Sequence, residues 1–167
     1  MNASYNEQIE VQVLGLFISP AHNFKGHYGK PAGKNPIHSL ESVECVAGKG
    51  LVGDRYFGLK ENYKGQITFL DDAVYQPLCE GVDAKDCEPE RLRRNVLIKG
   101  ADLNALIGQT FEISGIQFHG MEECSPCFWM NQAVGEGAED FLKNQGGLRA
   151  KILSDGELCL GKHNLNL

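Results

Sequence analysis

Residues 94–122, "RNVLIKGADLNALIGQTFEISGIQFHGME", hold three short β runs and little else. "RNVLIKG" is dominated by apolar and β-branched residues and reads as a strand. "ADLNALIGQ" suffices for one helical turn or two, with Asp102 placed to cap it and Gly108 to stop it. "TFEISGIQFHGME" is a pair of β runs about Gly115, which predicts a tight hairpin or a bulged strand. The pattern continues on both sides. "IEVQVLGLFIS" (9–19) is a strand ended by Pro20, and "SLESVECVAG" (39–48) and "QITFL" (66–70) are two more. "LRAKILSDGELCLG" (148–161) predicts a closing hairpin that turns on Asp155-Gly156. Helix is expected only in "AVYQPLCEGV" (73–82), capped by Asp71 or Asp72 and broken or shifted by Pro77, and in the second half of "FWMNQAVGEGAEDFLKNQ" (128–145). Many short strands, with helices too few to cover a parallel sheet, predict a mainly β fold: a closed or strongly curled β-barrel with a few short helices.

A chain of 167 residues without repeat, low-complexity tract or linker reads as one domain over 1–167. Its apolar fraction of 42% and charged fraction of 23% are those of an ordinary globular protein. No apolar run approaches the ~20 residues of a membrane-spanning helix. The one apolar stretch near the N-terminus, "VLGLFI", follows Glu7 and Glu10, and no Lys or Arg precedes Lys25, which is not a signal-peptide pattern. A cytoplasmic location is expected, and with it six reduced cysteines rather than three disulfides.

The net charge of −6 argues against nucleic acid as a partner, but the charge is unevenly placed. No acid lies between Glu10 and Glu41, where Lys25, Lys30, Lys34, His22, His27 and His38 fall; Arg91, Arg93, Arg94 and Lys99 form a second cationic run. Two such segments on an acidic chain point to a small anionic ligand. The segment 71–90 is acidic and reads as a solvated surface. The loops "PAHNFKGHYGKPAGKNP" (20–36) and "GLVGDRYFGLKENYKG" (50–65) are long for a compact domain, and such loops are more often functional than idle.

"EECSPCFWM" (122–130) puts Cys124 and Cys127 three apart around Pro126. Four readings are open. The pair could be half of a zinc site completed by Cys159 and His163, although the intervening gap is long. It could be a redox couple between a strand and a helix, although the βαβ context of that motif is missing. Both thiols could pack as small apolar residues, which suits Cys45, Cys79, Cys87 and Cys159 better than this polar loop. Last, one of them could be a nucleophilic or metal-binding thiolate at the mouth of an anion pocket.

Four segments, "GKGLVGDRYFG" (48–58), "RRNVLIKGADLNALIGQTFEI" (93–113), "ECSPC" (123–127) and "GGLRAKILSDGELCLG" (146–161), resemble in order and spacing the MOSC domain family. This module occurs at the C-terminus of molybdenum-cofactor sulfurases and as small stand-alone bacterial proteins. The resemblance runs from about residue 10 to residue 161, and "SPAHNFKGHYGKP" is similar to one subgroup of small bacterial members.

The resemblance implies a β-barrel and a site for the molybdenum cofactor, the phosphorylated pterin molybdopterin with its metal. It makes Cys127 the sulfur carrier, as a persulfide, or the molybdenum ligand, and Cys124 a helper that resolves or shields the sulfur. A soft thiolate suits both tasks. Gly53, Asp54, Arg55, Arg94, Asn95 and Arg149 are then the cofactor-binding residues, with Arg suited to bidentate phosphate contact and Gly to close backbone approach. Phe128 and Trp129 would wall the site. His22, His27 and His38 could lid the pocket, and His119 could stand near the thiols.

The implied chemistry is cofactor binding or sulfur transfer, with reduction of N-hydroxylated compounds by analogy to molybdenum-binding relatives. The aminotransferase-like, pyridoxal-phosphate-dependent domain of the sulfurases is missing from this chain. A separate cysteine desulfurase, or an electron-donor protein, is therefore expected as partner. A non-enzymatic persulfide carrier and a zinc-stabilised binding module are the alternatives.

Overall fold

The computed structural model describes residues 7–84 and 87–167. The strands are β1 (Gln8–Ile18), β2 (His38–Ser39), β3 (Ser42–Val46), β4 (Gly50–Leu51), β5 (Ile67–Asp71), β6 (Asp83–Ala84), β7 (Val96–Lys99), β8 (Thr110–Ile113), β9 (Ile116–Glu123), β10 (Gly135–Glu136), β11 (Leu148–Ile152), β12 (Gly156–Cys159) and β13 (Gly161–Asn166). The helices are α1 (Asp72–Gly81), α2 (Trp129–Ala133) and α3 (Ala138–Leu142), joined by 3-10 turns at Pro89–Leu92 and Asn104–Leu106. Among the described residues no helix is long and apolar enough to cross a membrane.

Seven strands close a barrel in the order β13, β8, β9, β11, β5, β7, β1, and β1 pairs back to β13 from Gln8↔Asn166 to Val13↔Gly161. Closure leaves those strands without free edges. Among the described barrel strands only β5 and β7 pair in parallel. Their residues Ile67–Leu70 and Val96–Ile98 are buried without alternation, because both faces of these strands are covered. Inside the barrel Phe69, Phe111 and Phe118 pack with ring centroids 5.5–6.0 Å apart, among Val11, Val13, Ile67, Ile98, Ile113 and Ala150. Outside it Leu70, Leu97 and Phe17 pack on Leu78, Met130, Val134 and Leu142, which dock the three helices on the wall formed by β5, β7 and β1.

The opening stretch folds largely as its residues predict. Ser114 and Gly115, with φ of 56° and 76°, form a two-residue turn of the hairpin-favouring hand between β8 and β9. Asp102 accepts the Ala105 N–H at 3.3 Å, and the "helix" it caps is only the 3-10 turn before Gly108 (φ 79°). Asp71 caps α1 by accepting the Ala73 N–H at 2.9 Å, and α1 runs through Pro77 unbroken.

The break expected at Pro77 does not occur, and helix forms in the first half of 128–145, as α2, as well as in the second; two further expectations fail. Asp155-Gly156 is not a hairpin turn: β11 has both edges taken, by β5 and β9, so the chain leaves the barrel and β12 pairs with β3. Asp155 instead accepts the Ala47 N–H at 2.7 Å, tying that excursion to the β3–β4 hairpin. Nor are all cysteines free, since Cys79 on α1 and Cys87 form a disulfide. It anchors the end of α1 to the segment leading into Pro89–Leu92, an acidic region of which Lys85 and Asp86 lie outside the described residues.

Candidate functional site

One end of the barrel gathers the end of β1, the starts of β5, β7 and β11, the end of β9, and the loops 20–37 and 52–65. They enclose a cavity of about 400 Å³, within the size range of small-molecule sites. Its lining carries Lys25, Arg55, Arg93, Arg94, Arg149 and His22, with no Asp or Glu, together with Cys124 and Cys127.

The loops are held by buried polar side chains. Asp54 accepts the N–H groups of Ser19 (3.1 Å) and Tyr56 (3.2 Å) and the guanidinium of Arg55 (3.2 Å), stitching the 52–65 loop to the end of β1. Gly53 sits at φ 89°, a backbone conformation that favours glycine. In the longer loop, Asn23 accepts from the Asn35 N–H (2.8 Å) and donates to the Asn35 carbonyl (3.2 Å), and the Ser19 hydroxyl donates to Pro36 (2.8 Å). Asn95 accepts from the Thr68 N–H and hydroxyl, both at 3.0 Å, and donates to the Phe17 carbonyl (3.1 Å), locking β1, β5 and β7 together where the cavity begins.

The two adjacent arginines diverge. Arg94 is buried and spends its guanidinium on three backbone carbonyls: Gly146 (2.8 Å), Leu92 (3.0 Å) and Cys124 (2.9 Å). Arg93, turned by a left-handed backbone (φ 57°), donates to the Ala21 carbonyl (3.2 Å) and lies over the Phe24 ring at 5.3 Å. Its Nη1 is buried with no hydrogen-bond partner among the described residues. Burial, then the charge of Arg55, pushes the Arg93 guanidinium down to about 10, so it stays cationic at neutral pH. His22 is held below its ordinary value by burial and by the charges of Arg55, Lys25 and Arg93.

Aromatic rings form the walls. On one side Tyr56 stacks on Tyr63 (5.3 Å), meets His22 edge-on (5.1 Å) and lies under Arg55 (4.6 Å). On the other Phe24 stacks on Trp129 (5.1 Å), and Phe128 reaches outward to the exposed Tyr28 (6.3 Å).

The thiols occupy different depths. Cys124 is only 6% exposed, its N–H bonded to the Gly147 carbonyl at 2.7 Å. The strand reaches this position because residue 146 is glycine: a Cβ there would lie 2.3 Å from the Cys124 carbonyl. Cys124 shares the cavity lining with Arg149 and Tyr63. Arg149 is held above its ordinary value: burial works against its charge, but the Cys124 sulfur, Tyr63 and Glu122, 3.3 Å away, outweigh it. Cys127 is exposed, one turn before α2, whose Met130 N–H bonds to its carbonyl at 2.9 Å. Cys45, by contrast, is inert in the barrel interior, its thiol pushed up to about 12 by burial.

Of the residues expected to bind a cofactor, Arg55, Arg94 and Arg149 line the cavity with both thiols, while Gly53, Asp54 and Asn95 act in the framework behind it. Sequence reasoning named Arg94 and passed over Arg93, Tyr56, Tyr63 and Phe24. The Arg93-Arg94 doublet was the visible signal, but which member turns inward depends on the backbone at Arg93. His119 is instead beside Thr110, 3.0 Å from its hydroxyl. The zinc quartet does not assemble: His163 bonds to the Cys159 carbonyl (2.7 Å), and no cluster of three or more His, Cys, Asp or Glu suited to a metal exists among the described residues.

The fold recurs in solved structures. The YuaD protein from Bacillus subtilis superposes with a TM-score of 0.74 at 17% identity, covering 96% of this chain and 98% of that one. YiiM from Escherichia coli superposes at 0.62 with 13% identity, covering 96% and 70%. A hypothetical protein gives 0.65 at 12%, covering 95% and 69%. No curated protein matches the chain. The model of the MOSC domain family matches residues 47–162, a span that holds both thiols, the arginine doublet and Arg149. With more than half its length matched, and the matching span building the cation-lined end of the barrel, the chain belongs to the MOSC domain family.

Proposed function

We propose that the cavity binds the molybdenum cofactor and that Cys127 presents the sulfur that engages it. The observation carrying this reading is the buried, unpartnered Nη1 of Arg93 in a cavity lined by cations and no acid, with two free thiols in the same lining. An orphaned guanidinium nitrogen costs free energy unless an acceptor arrives, and a phosphate is the acceptor that best matches it. Arg93, Arg55, Lys25 and His22 would hold the phosphate. Tyr56, Tyr63, Phe24 and Trp129 offer flat faces to the pterin. Cys127, soft and exposed, would ligate the metal or carry sulfane sulfur to it. When bound, the cofactor would supply two-electron redox chemistry at molybdenum, for which reduction of N-hydroxylated compounds is the reaction we propose.

A second reading, a persulfide carrier without turnover, is favoured by the exposure of Cys127 at the cavity mouth. Both readings call for a separate partner: a cysteine desulfurase to load sulfur, or an electron-donor protein. Both place the protein in the cytoplasm, where Cys124 and Cys127 would stay reduced, although the Cys79–Cys87 disulfide is uncommon in that compartment.

The test is the molybdenum and pterin content of protein purified from cofactor-proficient cells. Wild type is expected to carry both and Cys127→Ser to lose most of the molybdenum. Molybdenum and pterin absent from wild type would sink the stable cofactor site, and a sulfane sulfur on Cys127 would then support the carrier.

A further inference from the structure

We propose that Cys124 is the resolving thiol for sulfur carried on Cys127. The inference rests on the reading that Cys127 carries sulfane sulfur. The Cys124 thiolate attacks the Cys127 sulfur, a Cys124–Cys127 disulfide forms, the bond between Cys127 and its outer sulfur breaks, and that sulfur leaves as hydrosulfide with its proton. Two electrons pass from the thiol pair to the sulfane sulfur, so the step balances without an outside oxidant. A dithiol reductant then returns both cysteines to the thiol state.

Three observations carry this. Both thiols are free and line one cavity, three residues apart around Pro126, the spacing at which disulfide oxidoreductases close a bond between their cysteines. Their environments differ as the two roles require: Cys127 is exposed where a donor reaches it, and Cys124 is buried in a lining it shares with Arg149. Arg149 also pairs with Glu122 at 3.3 Å. Finally, the leaving hydrosulfide is an anion released into a lining that also holds Arg55 and Arg93, which retains it beside whatever the cavity binds. Cys45 and Cys159 do not line this cavity, and Cys79 and Cys87 are already paired.

The test loads the reduced full-length protein briefly with inorganic polysulfide, removes the excess, traps released sulfide with a bimane and weighs the peptide spanning residues 124–127. Wild type is expected to release about one sulfide per chain while the peptide ends about 2 Da below its reduced mass. Cys124→Ser is expected to keep the peptide about 32 Da heavier, with the extra sulfur on Cys127 and sulfide release at least ~10-fold slower. Arg149→Gln, which keeps both thiols, should slow release without preventing loading. The wild-type measurement needs no variant to fold. A wild type that holds its extra sulfur on Cys127 without forming the disulfide overturns the resolving role and leaves the carrier reading standing. A Cys127 that takes up no sulfur overturns both.

Discussion

Arg94→Ala is expected to lower the melting temperature by roughly 6–24 °C. The side chain is buried and donates to three carbonyls on three separate segments, Leu92, Cys124 and Gly146. Removing it leaves those acceptors without a donor, at about 1–2 kcal/mol each, or about 3–6 kcal/mol together. A domain of this length loses about 2–4 °C of melting temperature per kcal/mol. Arg94→Lys should recover little, because an ammonium cannot reproduce the planar fork that spans three differently placed carbonyls. Thermal unfolding followed by circular dichroism checks it, and a drop below about 3 °C would show that Arg94 is not the clamp described.

Arg93→Ala is expected to do the reverse. The variant loses one hydrogen bond, to the Ala21 carbonyl, but also removes a buried nitrogen that has no partner, so stability should change by less than about 1 kcal/mol. Affinity for a phosphorylated pterin, read from quenching of its fluorescence, should fall about 10–100-fold, the worth of one charge-assisted bond at about 1.5–3 kcal/mol. Neighbouring arginines would then separate folding from binding. Equal ligand affinity in Arg93→Ala and wild type would remove Arg93 from the site.

That doublet also shows where sequence reasoning stops. The barrel was legible because its signals are local: period-two apolar runs, brief helical segments, and a turn at Ser114-Gly115 whose residues accept positive φ. The closing hairpin was misread from an equally local signal. Asp155-Gly156 is good turn chemistry, yet β11 finds partners on both edges from distant strands, and that competition is invisible in the local sequence. The Cys79–Cys87 bond escaped for a different reason, since thiol state was inferred from an expected compartment rather than from proximity. That Arg55, Arg149 and the two cysteines share one lining was legible through the family pattern. The inward turn of Arg93 was not, because it depends on one left-handed residue after a 3-10 turn. Nor were Phe24, Tyr56 and Tyr63, which come from two separate loops and complete the walls with Trp129 of α2, the one of the four expected there.

The division of labour at the barrel end has a physical logic. Polar side chains that hold the loops, Asp54, Asn95 and Arg94, are satisfied within the protein. The Nη1 of Arg93 in the lining is left without a hydrogen-bond partner among the described residues, and no acid lines the cavity. The anion we propose would therefore meet a preorganised cavity, because the cost of gathering its charges is met by the fold before the ligand arrives.

The central claim is that this cavity receives a phosphorylated pterin, and its most direct test is an equilibrium titration of wild-type protein with the same oxidised pterin in phosphorylated and dephosphorylated forms. The account predicts that the phosphorylated form binds at least about 100-fold more tightly, the equivalent of about 2.7 kcal/mol, and that the preference shrinks in Arg93→Ala. Equal affinity for the two forms, or binding of neither, would contradict it.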